Sequence, residues 1–369
     1  MSENPRKPAE RVSTLIGDQA GAWDLQGFLP PDLVRTLAGE GLLCAQVPTR
    51  FGGLGLDSRA AGELTAHTGG LCSSVRSVMT SQQMVAGTIE RLGTEEQLAE
   101  HLPRLAGGAV AAAAFSEPGA GSDLSRMATR IRREGDEIVV DGHKRWITTA
   151  RYADVLLVFG RHEEGAAAVV VPTDAPGVTL TPAAQRPFGC RAAGHADVEL
   201  SGVRVPQSAL LGGTGLPLPF LVTAALAHGR LSVAWGCVGI LRSCLTEAAR
   251  HAREREQFGV PLAQHQLVAQ HLAEIYTGEQ IAARACEHAS DLWEQGSPDM
   301  VTATVLAKHL SATRAVAGAN AALQVLASAA AADDHPVARA LRDARLMEII
   351  EGSNEMCTLI LAESALATT

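Results

Sequence analysis

The sequence predicts a mostly α-helical protein with a central β domain. Three shifts in hydrophobic period carry that reading. Residues 14–107 follow a helical pattern, 109–211 switch to a period of two, and long helical segments run from 217 to the end. The expected domains are an N-terminal helical domain (1–108), a middle β-barrel or sandwich (109–212) and a C-terminal four-helix bundle (213–369). With 46% apolar, 19% charged and 4% aromatic residues, the 369-residue chain has a globular composition rich in small side chains.

Pro30-Pro31-Asp32 opens a helix whose apolar face is Leu33, Leu37 and Leu42, with Gly41 loosening its end. Val47-Pro48 and the glycine-rich stretch 51–56 mark a loop. The next helix spans 94–105, with Thr94 as cap and Glu95-Glu96 in the first turn, where acids suit the helix dipole. In the middle region, 131–133 and 138–140 flank Glu134-Gly135-Asp136 as a hairpin. Strands are expected at 155–159, 168–171 and 198–205, with turns at Pro176-Gly177 and Ser201-Gly202. Beyond residue 217, Gly259-Val260-Pro261 and Gly296-Ser297-Pro298 separate four or five antiparallel helices. The alanine-rich tract 315–332 carries Asn320, Gln324 and Ser328, which suits a packed internal helix rather than a membrane span.

A formal charge of −9 argues against a general nucleic-acid or anionic-membrane surface, although it leaves room for a local basic patch. Seven scattered cysteines without a C-x-x-C spacing argue against a disulfide framework or a metal site. Residues 1–11 are polar and contain Pro5 and Pro8, without the apolar core of a signal peptide. These features point to the cytoplasm.

The stretch with most chemical content is Phe115-Ser116-Glu117-Pro118-Gly119-Ala120-Gly121-Ser122-Asp123, about twenty residues before Trp146-Ile147-Thr148. Such a turn lets backbone amides approach a polyanion closely, and its serines add donors. Taken alone, a glycine-rich turn is more often an ordinary connection. Glu351 closes a helical run containing Leu346, Ile349 and Ile350, and is followed by Gly352, which suits a cap. A carboxylate at such a break can project into a cavity; taken alone, it is more often one surface acid among Glu348 and Glu355.

The Ser116–Asp123 string followed by Trp146-Ile147-Thr148 resembles the flavin-binding signature of the acyl-CoA dehydrogenase family. Further matches, in the family's order, are the loop 48–56, Gly93-Thr94 with Gln97, Gly189 with Arg191, and 203–206. They continue through Arg255-Glu256-Gln257-Phe258-Gly259, His265-Gln266, Gln324, Arg342-Asp343-Ala344 and Ile350-Glu351-Gly352-Ser353. The resemblance thus covers residues 14–366.

It implies an FAD-dependent dehydrogenase of a small acyl thioester. Glu351 would take the α-proton while the β-hydrogen leaves as hydride to the flavin. A flavin ribityl hydroxyl and the Glu351 amide would hold the thioester carbonyl. Ser116 and Thr148 would hydrogen-bond the isoalloxazine and Trp146 would wall it, with Phe115, Gly121 and Ile147 in the same set. Ser122 would bridge the pyrophosphate and the substrate's pantetheine side. Arg255, Gln257, Phe258, His265, Gln266 and Gln324 would serve the FAD, often that of a neighbouring subunit in a homodimer or homotetramer. Ser353 and Glu355 would lie near the cofactor, and Arg230 and Gly352 would join Ser122 at the substrate. An electron-transfer flavoprotein or oxygen would reoxidise the flavin.

The chain departs from the family pattern in places. Ala327-Ser328 replaces a usual Gly-Gly, and 329–334 a glycine-rich, Asn-containing stretch; Ser353-Asn354-Glu355 replaces Thr-Ser-Gln. Ala227-His228-Gly229-Arg230 keeps the arginine of a CoA-contacting segment and lacks its acid, which weakens the case for free CoA as carrier. The sequence is also similar to acyl-carrier-protein-linked dehydrogenases of polyketide extender-unit pathways of the methoxymalonyl type. Arg242, Arg250 and Arg253 are then expected to form a basic face for an acidic carrier. A flavin monooxygenase or oxidase on the same fold and a non-catalytic helical scaffold remain the alternatives.

Overall fold

The structure is a computed structural model that describes residues 6–162 and 165–367. Residues 1–5 of the polar N-terminal stretch lie outside the described residues. Six helices come first: α1 (Arg6–Ile16), α2 (Ala20–Gln26), α3 (Pro31–Gly39), α4 (Ser58–Leu71), α5 (Ser73–Leu92) and α6 (Glu95–Ala106). α3 has Pro31 at its first turn and buries Leu33, Val34, Leu37 and Ala38. It stops at Gly39, earlier than the sequence suggests. Gly41 at φ 70° then turns the chain, so Leu42 is buried from a turn rather than from a helix face. Thr94 and Gln97 cap α6 reciprocally, and the Gln97 amide donates to the carbonyls of Ser208 and Leu210. α5 is almost wholly buried, packed between the other helices and the sheet.

The sheet contains β1 (Ala111–Ala114), β2 (Arg130–Glu134), β3 (Glu137–Ile147), β4 (Val155–His162), β5 (Gly165–Pro172), β6 (Val178–Pro182), β7 (Ala196–Pro206) and β8 (Leu210–Leu216). Its order is β6-β7-β3-β2-β4-β5-β8, with β1 added parallel to β4. The expected hairpin is β2–β3. The expected turn at Ser201-Gly202 falls instead inside β7. There Gly202 adopts φ 61° beside a register shift and donates to Asp141, a bulge that bends the strand without ending it. β6 and β8 escape a sequence reading because β6, although Val178 and Leu180 alternate with threonines, is short and ends in proline, and β8 is glycine-rich.

Three long helices, α7 (Leu218–Glu254), α8 (Gln266–Glu294) and α9 (Met300–Leu326), build the C-terminal bundle. Between α7 and α8 lies a hairpin of β9 (Glu256–Gln257) and β10 (Val260–Pro261), and α10 (Pro336–Met347) and α11 (Asn354–Ala367) pack on α9. α7 is long and apolar enough to cross a membrane, but 83% of its apolar window is buried inside the protein. Its glycines bring it against α4: a Cβ at Gly239 would lie 1.8 Å from the Ala66 carbonyl oxygen. All seven cysteines are buried free thiols.

A polar network joins the helical parts to the sheet. Asp24 of α2, only 3% exposed, pairs with Arg191 and Arg342, both of which also pair with Asp333. The Cys190 amide donates to the buried Asp343 carboxylate at 2.6 Å, and a Cβ at Gly189 would strike the Arg342 carbonyl at 2.5 Å. Gly189, Arg191, Arg342 and Asp343 therefore serve the joint between elements.

Candidate active site

Glu351 follows α10 in a turn. The helix ends at Met347, short of the sequence expectation, and Glu351 and Gly352 take φ 55° and 85°. A left-handed conformation is costly for glutamate and persists only where surrounding contacts hold it. Those contacts are two buried cations. Arg230 donates from Nε to the Glu351 carbonyl at 3.0 Å, and Lys308 donates to the Gly352 carbonyl at 2.8 Å and to Asn354 Oδ1 at 3.2 Å. The Glu351 side chain is left free by this arrangement. Its Oε2 is fully buried with no hydrogen-bond partner. Burial pushes its carboxyl above the usual carboxylate range, opposed by the charges of Arg230, Arg76 and Lys308. Room for the carboxylate comes from Gly229 on α7, where a Cβ would sit 2.4 Å from Oε2 and 2.8 Å from Met84 Sδ.

Met84 belongs to an apolar cluster with Phe115, Phe159, Leu221 and Ala225, against which Leu124, Val222 and Leu226 pack. This cluster runs from the Glu351 carboxylate to the glycine-rich turn. Within the turn the Glu117 and Ala120 backbones bond each other, and Ser116 and Ser122 are exposed. A Cβ at Gly119 or Gly121 would meet only open space. The turn is anchored from below by a buried pair, Lys144 and Glu117, at 2.8 Å. Glu117 also accepts from the amides of Ala128 and Thr129 and from the Thr129 hydroxyl. Lys144 also donates to the carbonyls of Phe115 and Phe159. Burial lowers the lysine to about 8 against the pull of Glu117.

The end of β3 is tied to the same turn by the Arg145 amide, which donates to the Ser116 carbonyl at 2.8 Å. Beyond it, Trp146 and Thr149 adopt φ 58° and 72°, the Trp146 ring is 38% exposed, and Ile147 is buried. The Thr149 hydroxyl is buried without a partner, and Thr148 Oγ1 lies 3.3 Å from His195 Nδ1. Open glycines, two exposed serines, an exposed indole and strained residues on one surface fit a flat, phosphorylated ligand such as FAD.

The structure thus gathers Phe115, Ser116, Gly121, Ser122, Trp146, Ile147 and Thr148 around one turn, and Glu351, Gly352 and Arg230 around another. The remaining residues form a separate group. Arg255, Gln257, Phe258 and Gln266 are exposed on or beside the β9–β10 hairpin, with Phe258 at 96% and φ 55°. His265 Nε2 bonds the Gln257 carbonyl at 3.1 Å, and its ring meets Phe258 edge-on. Gln324 is exposed near the end of α9, just before Ala327 at φ 49°. Ser353 caps the start of α11 by accepting from the Met356 amide at 3.5 Å, and Glu355 points to solvent.

The expected basic face is corrected by the structure. Arg242 is bound by Glu63 and Glu279, and Arg250 by Glu247 and Glu254, so two of its three charges are already neutralised. A surface cleft of about 640 Å³ along α4 and α7 is lined partly by these ion pairs and carries none of the motif residues. Sequence reasoning also missed Arg76, Lys308, Lys144 and Gly229. Lys144 had a legible signal: a lysine two residues before Trp146, at a position of β3 that faces inward. Arg76 and Lys308 lie 275 and 43 residues from Glu351 in the chain, and only folding brings their charge to it.

A helical–sheet–helical chain with an unpartnered buried carboxylate and an open, glycine-lined turn has the layout of an oxidoreductase acting on acyl thioesters. Comparison with known proteins gives the family. Residues 8–109, 112–203 and 220–366 match the N-terminal, middle and C-terminal domains of acyl-CoA dehydrogenase. The chain is 33% identical to "probable acyl-CoA dehydrogenase YngJ" of Bacillus subtilis, over 95% of this chain and 92% of that protein. It is 30% identical to the human mitochondrial short-chain specific acyl-CoA dehydrogenase, over 92% and 83%. Among solved structures it is similar to FkbI, described as serving biosynthesis of the methoxymalonyl extender unit of the Fk520 polyketide. The identity there is 59% and the TM-score 0.94, covering 98% of this chain and 99% of that one. The chain belongs to the acyl-CoA dehydrogenase family, FAD-dependent oxidoreductases of acyl thioesters.

Proposed function

We propose that this enzyme oxidises a small acyl thioester in the cytoplasm, with Glu351 as the base for the α-proton. The carrying observation is the buried, unpartnered Glu351 Oε2. A buried carboxylate whose Oε2 no protein group satisfies, and which burial raises above the usual range against the opposing charges of Arg230, Arg76 and Lys308, suits a base that accepts a proton. The Glu351 amide donates to no group among the described residues, which leaves it available for the substrate carbonyl oxygen. Arg230 and Lys308 hold the backbone on either side, so carboxylate and amide keep one geometry. Gly352 gives the turn its φ 85°, and Ser122, exposed on the glycine-rich turn, would contact the pantetheine arm.

FAD supplies the two-electron acceptor when bound. Ser116, Gly121, Ser122, Trp146 and Thr148 would hold it, with Phe115 and Ile147 as buried supports. Arg255, Gln257, Phe258, Gln266 and Gln324, exposed on a single chain, and the half-buried His265 would reach the FAD of a neighbouring subunit in a homodimer or homotetramer, with Ser353 and Glu355 beside it. Likeness to FkbI over almost the whole chain favours a carrier-protein thioester of a polyketide extender unit. An electron-transfer flavoprotein or oxygen would be the final acceptor.

The test is anaerobic flavin bleaching by carrier-bound and CoA-bound acyl groups, with wild type, Glu351→Gln, Glu348→Gln and Glu355→Gln. Glu351→Gln is expected to stay folded and yellow and to lose about 10²–10⁴-fold in reduction rate, roughly 3–5 kcal/mol of barrier. Bleaching within a few-fold of wild type would remove Glu351 as the base, and faster turnover of the CoA thioester would remove the carrier reading.

A further inference from the structure

The end of β3 departs from a regular strand where it meets the glycine-rich turn. Lys144 pairs with Val198 of β7 and Ile147 with Ala196, so β3 carries one extra residue there as a bulge. Burial follows the same break: Arg145 and Trp146 are both exposed, between a buried Lys144 and a buried Ile147. The amides of the two exposed residues bond outside the ladder. Arg145 donates to the Ser116 carbonyl at 2.8 Å, and Trp146 to Asp197 Oδ1 at 3.1 Å. The Lys144 side chain is 0% exposed. Its Nζ donates to the Phe115 carbonyl at 3.2 Å, the Glu117 carboxylate at 2.8 Å and the Phe159 carbonyl at 2.7 Å. These three acceptors match the three N–H groups of an ammonium.

Ser116 sits at the centre of these bonds. The carbonyl before it and the carboxylate after it share one ammonium, and its own carbonyl takes the Arg145 amide. Its exposed hydroxyl bonds no protein group among the described residues, so the backbone is held and the side chain is free. A lysine needed only to neutralise Glu117 would not have to reach two carbonyls as well. Those carbonyls belong to Phe115 and Phe159, whose rings stack with centroids 3.8 Å apart. We propose that Lys144 is a positioning residue of the cofactor site, which fixes the backbone on both sides of Ser116 so that its hydroxyl meets the ligand in one geometry. The inference rests on the flavin reading of Ser116. A hydroxyl on a fixed backbone binds without a further ordering cost, so losing the lysine weakens binding even where the fold survives.

The working variant is Lys144→Met/Glu117→Gln, which removes both charges yet leaves an amide oxygen to accept from Ala128 and Thr129. In protein free of FAD, the Arg145 amide should exchange its hydrogen about ten-fold faster than in wild type, while the amides of 138–140 in the same strand keep their protection. Unchanged Arg145 protection would overturn the proposal whatever the chain binds. With FAD, the variant should bind about ten-fold more weakly, the worth of one misplaced hydrogen bond. Its melting temperature should lie above that of Lys144→Met, while its FAD affinity should not recover. Affinity that rises in step with stability would make the lysine merely structural and end the proposal. Ser116→Ala should weaken FAD binding in wild type and change it little in the double variant. Fully additive losses would show that Lys144 does not act through Ser116. Should the double variant fail to fold, Lys144→Gln/Glu117→Gln serves under the same criteria, since glutamine is shorter than lysine and cannot span all three acceptors. Wild-type protein that binds no FAD would instead remove the flavin reading and leave the exchange result standing.

Discussion

Gly229→Ala places a methyl where Glu351 keeps its carboxylate. The new Cβ would lie 2.4 Å from Oε2, 2.7 Å from Cδ and 2.8 Å from Met84 Sδ, against an ordinary contact of 3.4 Å or more. The turn cannot retreat, because Arg230 and Lys308 hold the carbonyls of residues 351 and 352. The carboxylate must therefore swing aside by about 1 Å, a displacement that can cost a positioned catalytic group about 100-fold, roughly 3 kcal/mol of barrier. Overpacking at this point should also cost about 1–3 kcal/mol of stability. The assay is stopped-flow flavin reduction at saturating substrate, with FAD content and thermal melting measured on the same samples. Met84→Ala in the Gly229→Ala background opens space on the side of the new methyl and should restore part of the rate. A folded, FAD-loaded Gly229→Ala enzyme that reduces its flavin within three-fold of wild type would refute the placement of the carboxylate against α7.

Other expectations follow from the same contacts. Because burial raises Glu351, the rate of flavin reduction should climb with pH through that raised value, and Glu351→Gln should abolish this limb. The same shift means that folding disfavours the ionised form. Glu351→Gln should therefore melt higher than wild type at pH 7, and the difference should vanish below the ordinary glutamate value of about 4.3, where both states are protonated. Lys144→Met strands the buried Glu117 and should cost about 3–5 kcal/mol in denaturant unfolding, with Lys144→Met/Glu117→Gln recovering part of it. Arg255→Ala should weaken FAD retention during gel filtration while leaving the reduction rate of fully loaded enzyme nearly unchanged; unchanged retention would remove Arg255 from the cofactor set.

The three-part order and most element positions are legible in the sequence because period and capping are local properties. Thr94 with Gln97 and Pro31 at a helix start act within a few residues, so their chemistry shows in the string. Elements that depend on distant partners do not. The Ser201-Gly202 pair reads as a turn because its bulge exists only through β3 and the Asp141 acceptor. The three arginines of the supposed basic face look alike in sequence, and Glu63 and Glu279, far along the chain, neutralise Arg242. Glu351 is recognisable from its motif. The reason its carboxylate stays free lies in Gly229, Arg230, Arg76 and Lys308, drawn from three other helices.

The joint around Asp24 bears on how substrate reaches Glu351. Arg191 and Arg342 each bridge Asp24 and Asp333, and Gly189 touches the backbone of α10 with no space for even a methyl. α2, the loop before β7 and α10 are thereby bolted at one point, and a clamshell opening between sheet and bundle would break buried ion pairs before it admitted anything. On the proposed function, substrate would have to enter away from that joint, for instance past the partly buried Leu124, Val222 and Leu226 that pack on the cluster holding Met84. A slim, flexible tether can thread such a route while the bulk of its carrier waits outside.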